Sequence, residues 1–382
     1  MREEICWNRK WAFTKNVDEV PSSMPQRWDY VNIPHTWNDI DGQDGGDDFY
    51  RGNGYYAKEL KLSDLPEADE YYMQFDGTNS SASLYVNGIN AGSHDGGYST
   101  WRVNITKLLQ EDNLIVVVVN NAPNDHVYPQ SADFTFYGGM YRDVKILAVN
   151  RTHFDLDCFG GNGIAVTPII TDKDAAPSGT VQIRVRTWIK DPAGTLRIVI
   201  RDRDDSIVSC REIPAAEAND ELLEIPDVHI WNGIRDPYLY TAEACIIPDE
   251  NTDEHTGNIT DCVRTRFGVR SYRIDPDKGF ILNGKEYPLR GVARHQDRWA
   301  KGNALSEDDH REDMDIIREM GANTIRLAHY QHSQFFYDLC DQYGMVVWAE
   351  IPYISMHLAK GRDNTISKMK ELIIQNYNHP SI

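Results

Sequence analysis

The chain is short of several things, and each shortage narrows what it can be. Cationic residues are in deficit: 39 lysines and arginines stand against 59 aspartates and glutamates in 382 residues, a formal charge of -20. Such an excess of carboxylates repels nucleic acid and anionic membrane surfaces, so neither is expected as a partner. Apolar runs long enough to span a membrane are lacking. The opening MREEICWNRKWAF has no hydrophobic stretch of the secretory kind, and a cytoplasmic protein is the expectation. The six cysteines (Cys6, Cys158, Cys210, Cys245, Cys262 and Cys340) show no C-x-x-C spacing, so six free thiols and no cysteine-held metal are expected. No G-x-G-x-x-G opens a strand-to-helix turn, which leaves a dinucleotide site without support. There is no internal repeat of fixed period and no low-complexity tract.

What is present changes character along the chain. Residues 1–150 carry short β patterns, many turns and aromatic residues. Leu84 and Val86 alternate with Ser83 and Tyr85 and lead into Asn87-Gly88, a type I′ hairpin signal. Leu114 to Val119 is apolar throughout, as in a strand covered on both faces. A two-sheet sandwich of jelly-roll type is predicted. Residues 151–269 continue as β with a cleaner period. Val181, Ile183, Val185, Thr187 and Ile189 alternate with polar neighbours, Asp191-Pro192-Ala193-Gly194 turns the chain, and Leu196, Ile198 and Ile200 resume the alternation. This reads as one hairpin of a smaller, immunoglobulin-like sandwich. Asp202 to Asp205 is a charged turn and Pro248 to Gly257 a polar loop.

Residues 270–382 switch to β/α alternation. Phe280-Ile281-Leu282 reads as a short hairpin strand. Strand-like runs at Leu289–Ala293, Asn323–Leu327 and Met345–Trp348 alternate with helical patterns at Ser306–Met320 and Ser333–Tyr343. Ser306 and Asp309 approximate a capping box at the head of the first helix. Polar residues follow each strand: Arg294, His295, Gln296 and Asp297; then His329 and Tyr330; then Glu350. In a parallel α/β barrel these gather on the rim where active sites sit.

Several stretches resemble glycoside hydrolase family 2, the β-galactosidase and β-glucuronidase family. They are IPHTWN at Ile33, YRGNGYY around Arg51, LYVNG at Leu84, DFTFYGGMYRDV at Asp133, PLRGVARHQD at Pro288, NTIRLAHYQHSQFFYDLC at Asn323, YGMVVWAEIP at Tyr343 and QNYNHPSI at Gln375. The resemblance implies a jelly-roll sugar-binding domain, an immunoglobulin-like sandwich and the first three βα units of a TIM (β/α)8 barrel. The RHQD and LAHYQH forms, with WNGIRDPYLY at Trp231, look like β-galactosidases. That implies retaining hydrolysis of terminal β-galactosides, with a β-glucuronidase, a β-mannosidase or a non-catalytic carbohydrate-binding protein as alternatives. Retaining hydrolysis needs two carboxylates about 5 to 5.5 Å apart. In the family both glutamates follow the Asn-His-Pro-Ser segment, here Asn378 to Ser381, so both are expected beyond Ile382 and the chain by itself is expected to be inactive.

Carried over residue by residue, His295 and His329 are the expected hydrogen-bonding partners of sugar hydroxyls, and Asp133 is a carboxylate reaching from the sandwich to the same sugar. Arg326 has two readings, orienting a catalytic carboxylate or closing a salt bridge in the barrel. Glu350 supports rather than attacks. Arg51 departs from the substrate-contacting asparagine that well-known β-galactosidases place at that point. Magnesium, which the family can use, finds no matching glutamate and histidine arrangement in IPYISMH after Glu350, and no cofactor is expected. The aromatic residues Tyr98, Trp101, Tyr137 and Tyr141 are expected in the sandwich core. Association of chains is left open.

Overall fold

Alternation of apolar and polar side chains, with period two, builds the first layer. In the computed structural model, which describes residues 1–15, 17–46, 48–248 and 259–382, the N-terminal region forms two facing antiparallel sheets. One has four strands in the order Glu3–Cys6, Val144–Val149, Glu70–Phe75, Trp101–Asn104; the other has six in the order Asp29–Val31, Trp11–Thr14, Asn53–Lys61, Asp112–Asn120, Ser81–Val86, Ile89–Asp95. Trp11, Tyr56, Met73, Phe75, Leu84, Val117 and Ile146 fill the space between them. Asn87 and Gly88 both have positive φ (53° and 79°), as a type I′ turn requires, and they join Ser81–Val86 to Ile89–Asp95.

A second sandwich follows. Val181–Lys190 pairs with Ile164–Ile169, His153–Phe154 and Ala218–Ile225 in one sheet, and Thr195–Arg201 pairs with Ile207–Pro214 and Tyr240–Ile247 in the other. Here the expected hairpin is corrected. The two strands around Asp191–Gly194 do not pair with each other but belong to opposite sheets. Both carry an apolar face, and placing Ile183 and Val185 opposite Leu196 and Ile198 across one core buries both faces at once. The charged turn is the hairpin between Thr195–Arg201 and Ile207–Pro214, with Asp205 at φ 63°. The polar loop predicted from Pro248 to Gly257 lies, beyond Pro248, outside the described residues.

A three-stranded antiparallel unit (Tyr272–Asp275, Gly279–Leu282, Lys285–Glu286) leads into three parallel strands, Gly291–Arg294, Thr324–Leu327 and Val346–Ala349, hydrogen-bonded in that order. Helices α1 (Glu307–Glu319), α2 (Gln334–Tyr343) and α3 (Arg362–Gln375) follow the successive strands. Ser306 caps α1 in a reciprocal box with Asp309, and the stripe His310, Met314, Ile317 is buried. The turn after α2 is closed by Gly344 at φ 74°, where an added Cβ would strike the carbonyl of Gly233. Trp231, fully buried, donates Nε1 to the Asp341 carbonyl at 3.0 Å and joins the second sandwich to the barrel strands.

The expectation of six free thiols is also corrected. Cys245 and Cys262 lie directly opposite on the neighbouring strands Tyr240–Ile247 and Asp261–Phe267, with Cα atoms 4.1 Å apart, and form a disulfide. Sequence spacing carries no sign of this, because strand register alone brings the two together. Cys6, Cys158, Cys210 and Cys340 are free. Thiol titration of denatured, unreduced protein should therefore give four reactive groups, rising to six after reduction. Six before reduction would remove the disulfide.

Candidate active site

The site is built where the ends of the first two barrel strands meet the Asp133–Tyr141 loop of the jelly roll. Extended backbone sends neighbouring side chains to opposite sides, and this sorts the run after the first strand. Arg294 turns inward and is buried. Its Nε and Nη2 donate to Asp313 Oδ2 at 2.9 and 2.6 Å, Nη1 reaches His332 Nδ1 at 3.1 Å, Nη2 reaches His310 Nδ1 at 3.0 Å, and the guanidinium lies over Phe336. His295 turns the other way, toward His329, with ring centroids 5.2 Å apart. Gln296 is buried, with its Oε1 accepting from Arg142 of the jelly roll. Asp297 accepts from the Tyr137 hydroxyl at 2.8 Å. The expectation that all four residues gather on the rim thus holds for His295 and Asp297 and not for Arg294 and Gln296.

His329, reached through a cis Ala328–His329 peptide, stands against Arg326 and Glu350. Arg326 donates Nε to Glu350 Oε1 at 2.5 Å and Nη2 to Glu350 Oε2 at 3.1 Å, with the same Nη2 3.0 Å from His329 Nδ1. Glu350 Oε2 is farther from that nitrogen, at 3.3 Å. A guanidinium only donates, so the shorter contact needs a bare Nδ1, and the neutral ring then carries its proton on Nε2. That Nε2–H has no partner among the described residues. Arg326 thus makes a two-point ion pair with a carboxylate outside the expected catalytic pair, and it does so at the rim, 45% exposed, rather than in the barrel core. Glu350 is held in place by that pair.

Burial lowers the pKa of His295, and His329 and Arg326 add to this while Asp297 and Asp133 oppose it. Its Nδ1 lies 3.2 Å from the Tyr330 hydroxyl. Asp133 is exposed and makes no hydrogen bond to the described residues, but its charge is felt at His295. Phe134, next to it, packs against His295 and His329 at 5.0 and 5.7 Å between centroids, so a sandwich residue forms one wall of the cleft.

Two features were not anticipated from sequence. Trp101 is a sandwich-core residue as expected, but Tyr141 is buried with Tyr98 and the barrel's Tyr330, Tyr98 stacks on Tyr330 (4.1 Å, 9° between planes) and Tyr137 binds Asp297, so these three lie at the domain boundary. Arg142 ties the joint. It donates to the carbonyls of Asp76 and Tyr98 on the sandwich side (3.1 and 2.7 Å), and to Gln296 Oε1 and the Gln331 carbonyl on the barrel side (3.1 and 2.8 Å). The only sequence sign of it was its place inside the DFTFYGGMYRDV stretch.

Behind the cleft, burial and then the Arg294 charge lower the His310 pKa to about 3, and His332 is driven down by the same two causes. A histidine whose folded pKa lies below its unfolded value near 6.5 stabilises the fold fully only above that value. Between pH 6.5 and about 3 the unfolded chain takes up a proton that the folded chain refuses. Stability should therefore fall on acidification through this window. His310 alone contributes a slope approaching about 1.4 kcal/mol per pH unit. Denaturant titrations from pH 7 to 4 should show His310→Gln with a shallower slope than the parent. Parallel slopes would mean that His310 titrates normally.

Residues 6–150 match the family profile described as the sugar binding domain of glycosyl hydrolases family 2, and residues 274–382 match its TIM barrel domain. A β-glucuronidase of Bacteroides fragilis is 36% identical over the whole chain, which spans 55% of that relative. Among solved structures, an FMN-binding β-glucuronidase from Facaelibacterium prausnitzii L2-6 superposes with a TM-score of 0.90 at 40% identity, all of this chain covering 57% of that one. A putative β-galactosidase from Bacteroides fragilis superposes at 0.91 with 32% identity, covering 58% of its length. The chain thus spans little more than half the length of the relatives it matches. With both domain profiles in order, and the sandwich loop and barrel rim meeting as described, the chain belongs to glycosyl hydrolase family 2.

Proposed function

We propose that the whole protein containing this chain is a retaining β-glycosidase that acts on β-glucuronides. The observation that carries the substrate is similarity: the relatives at 36% and 40% identity bear the name β-glucuronidase, while the putative β-galactosidase is at 32%. The RHQD and LAHYQH forms, which favour a galactoside in the sequence reading, keep β-galactosidase as the second reading.

In this reading, the reacting sugar lies against the wall that Phe134 and the two imidazoles form together. His329 Nε2–H and His295 donate to ring hydroxyls, and they stabilise charge as it develops at the ring. Arg326, by gripping Glu350 and His329 together, sets the orientation of that donor. Asp133 accepts from hydroxyls on the sandwich side. Two imidazoles cannot break a glycosidic bond, which needs one carboxylate to attack the anomeric carbon and one carboxylic acid to protonate the leaving oxygen. Those two glutamates belong to the part of the family barrel that follows Asn378 to Ser381. Hydrolysis is redox-neutral, so the flavin named for one relative has no part in this step.

The whole protein should turn over nitrophenyl β-glucuronide with a kcat/KM at least about a hundredfold above that for nitrophenyl β-galactoside, because only the former presents a carboxylate for charge-assisted bonding. The reverse preference would establish the galactosidase reading. His329→Ala in the same protein should lower kcat by about a hundredfold, the loss typical of one transition-state donor, with thermal unfolding unchanged. An unaltered kcat would make His329 a packing residue.

A further inference from the structure

A cavity of about 380 Å³ lies behind the cleft, in the joint between the jelly roll and the heads of α1 and α2. None of Asp133, Phe134, His295 and His329 lines it, so it is separate from the sugar cleft. Sites for small molecules commonly enclose about 300–1,000 Å³ and are frequent where domains meet.

The polar lining of this cavity is incompletely matched. Gln296, His310 and Asn303 all border it, each no more than 5% exposed. Gln296 Oε1 accepts from Arg142 Nη2 at 3.1 Å; a guanidinium only donates, so the orientation of the amide is settled and Nε2 is left buried without a partner. His310 takes the Arg294 Nη2 donor on Nδ1 at 3.0 Å, and burial keeps the ring neutral. Its proton therefore sits on Nε2, which has no partner among the described residues. Asn303 Oδ1 is buried and likewise unmatched. Ser333, at the head of α2, lines the same space, and its hydroxyl makes no capping bond. Two free donors and a free acceptor on buried side chains thus face one cavity, where native structures leave few such groups unpaired.

The charges on the lining exclude most simple ions. Four carboxylates (Asp76, Asp143, Glu307, Asp338) stand against two cations, Arg142 and Lys145. Both cations are already engaged, Arg142 with four protein oxygens and Lys145 with Glu4 at 3.2 Å, so no free positive charge awaits an anion. The free N–H groups of Gln296 and His310 oppose a bare cation. A hydroxyl both donates and accepts, so a neutral compound carrying several of them meets both kinds of free group at once. Its C–H faces suit the apolar wall of Tyr141, Leu305 and Phe335. Filled with water alone, the cavity would hold about a dozen molecules.

We infer that this cavity binds a neutral polyol, a single sugar or a compound of similar size, through hydrogen bonds to Gln296, His310 and Asn303. The site is independent of which glycoside the cleft accepts. Because Gln296 is also bonded to Arg142 across the joint, a bound polyol favours the docked arrangement of sandwich and barrel, as any ligand of one state favours that state.

The test uses the whole protein, its variants Gln296→Glu, Asn303→Leu and His329→Ala, and titration calorimetry with myo-inositol and with glucose. Gln296→Glu keeps an acceptor for Arg142 and removes the free N–H; Asn303→Leu removes the free acceptor with little change in volume. Each variant is first checked for a cooperative thermal transition, and either of the two cavity variants decides the matter alone. Saturable binding is expected in the parent and in His329→Ala, and binding at least about tenfold weaker in Gln296→Glu and in Asn303→Leu. Polyols stabilise proteins generally by exclusion from their surface, an effect the variants share. The ligand should therefore raise the unfolding midpoint of the parent by more than it raises theirs. Glucose following this pattern identifies a sugar, and myo-inositol alone following it identifies a polyol of another kind. Absence of saturable binding for both, equal binding to the parent and the cavity variants, or a loss confined to His329→Ala would overturn the site and leave the cavity to water.

Discussion

The site exists only as long as the sandwich is held against the barrel rim, and the Arg142 guanidinium is the group that spans that joint. It bonds two carbonyls of the jelly roll, at Asp76 and Tyr98, and two oxygens of the loops that follow the first and second barrel strands, at Gln296 and Gln331. Hydrogen bonds from a charged donor are each worth about 1.5–3 kcal/mol when their removal strands a buried acceptor. Four of them from one planar group also fix direction, which two separate lysines would not. The consequence is that Phe134 and Asp133, only a few residues upstream in the same loop, arrive beside His295 and His329 with little freedom.

Other contacts repeat the same logic around the joint. Gln43 donates to the Tyr137 hydroxyl and the Arg298 carbonyl and accepts from the Ala300 amide, fastening a sandwich loop to the turn after Asp297. Lys368 and Glu371 on α3 form a buried pair that reaches His94 and Ser99 of the jelly roll. Buried ion pairs contribute little net stability against apolar replacements, but a broken one is strongly unfavourable, so they select one docking geometry over its neighbours. Both sandwiches and the barrel strands thus form one frame, and the cleft is a property of the frame rather than of any domain.

A division of labour follows. Groups behind the cleft, such as His310 and His332, are kept neutral by burial beside Arg294 and serve as acceptors for a buried cation. Groups facing the cleft, such as His329, leave a donor free. Histidines that look alike in sequence, each close to a strand or on a helix stripe, are separated by their partners: His310 and His332 meet the buried Arg294, His329 meets Arg326 at the rim.

The order and type of elements were legible in the sequence because they depend on local periodicity. The alternation in Val181 to Ile189, the Ser306–Asp309 box, the Asn87-Gly88 turn and the β/α rhythm after Leu289 all act within a few residues. His295, His329, Arg326 and Glu350 were legible through motif and strand-end position, and the structure brings them together. Tertiary structure decided what depends on register and on contacts far apart in the chain. It set Val181–Lys190 and Thr195–Arg201 in opposite sheets, joined Cys245 to Cys262, turned Arg294 inward and stacked Tyr98 on Tyr330. The physical reason is common to all four. A side chain's period tells which face it shares with its near neighbours, but the partner on the far side of that face is chosen by packing the whole frame, and no local pattern records it.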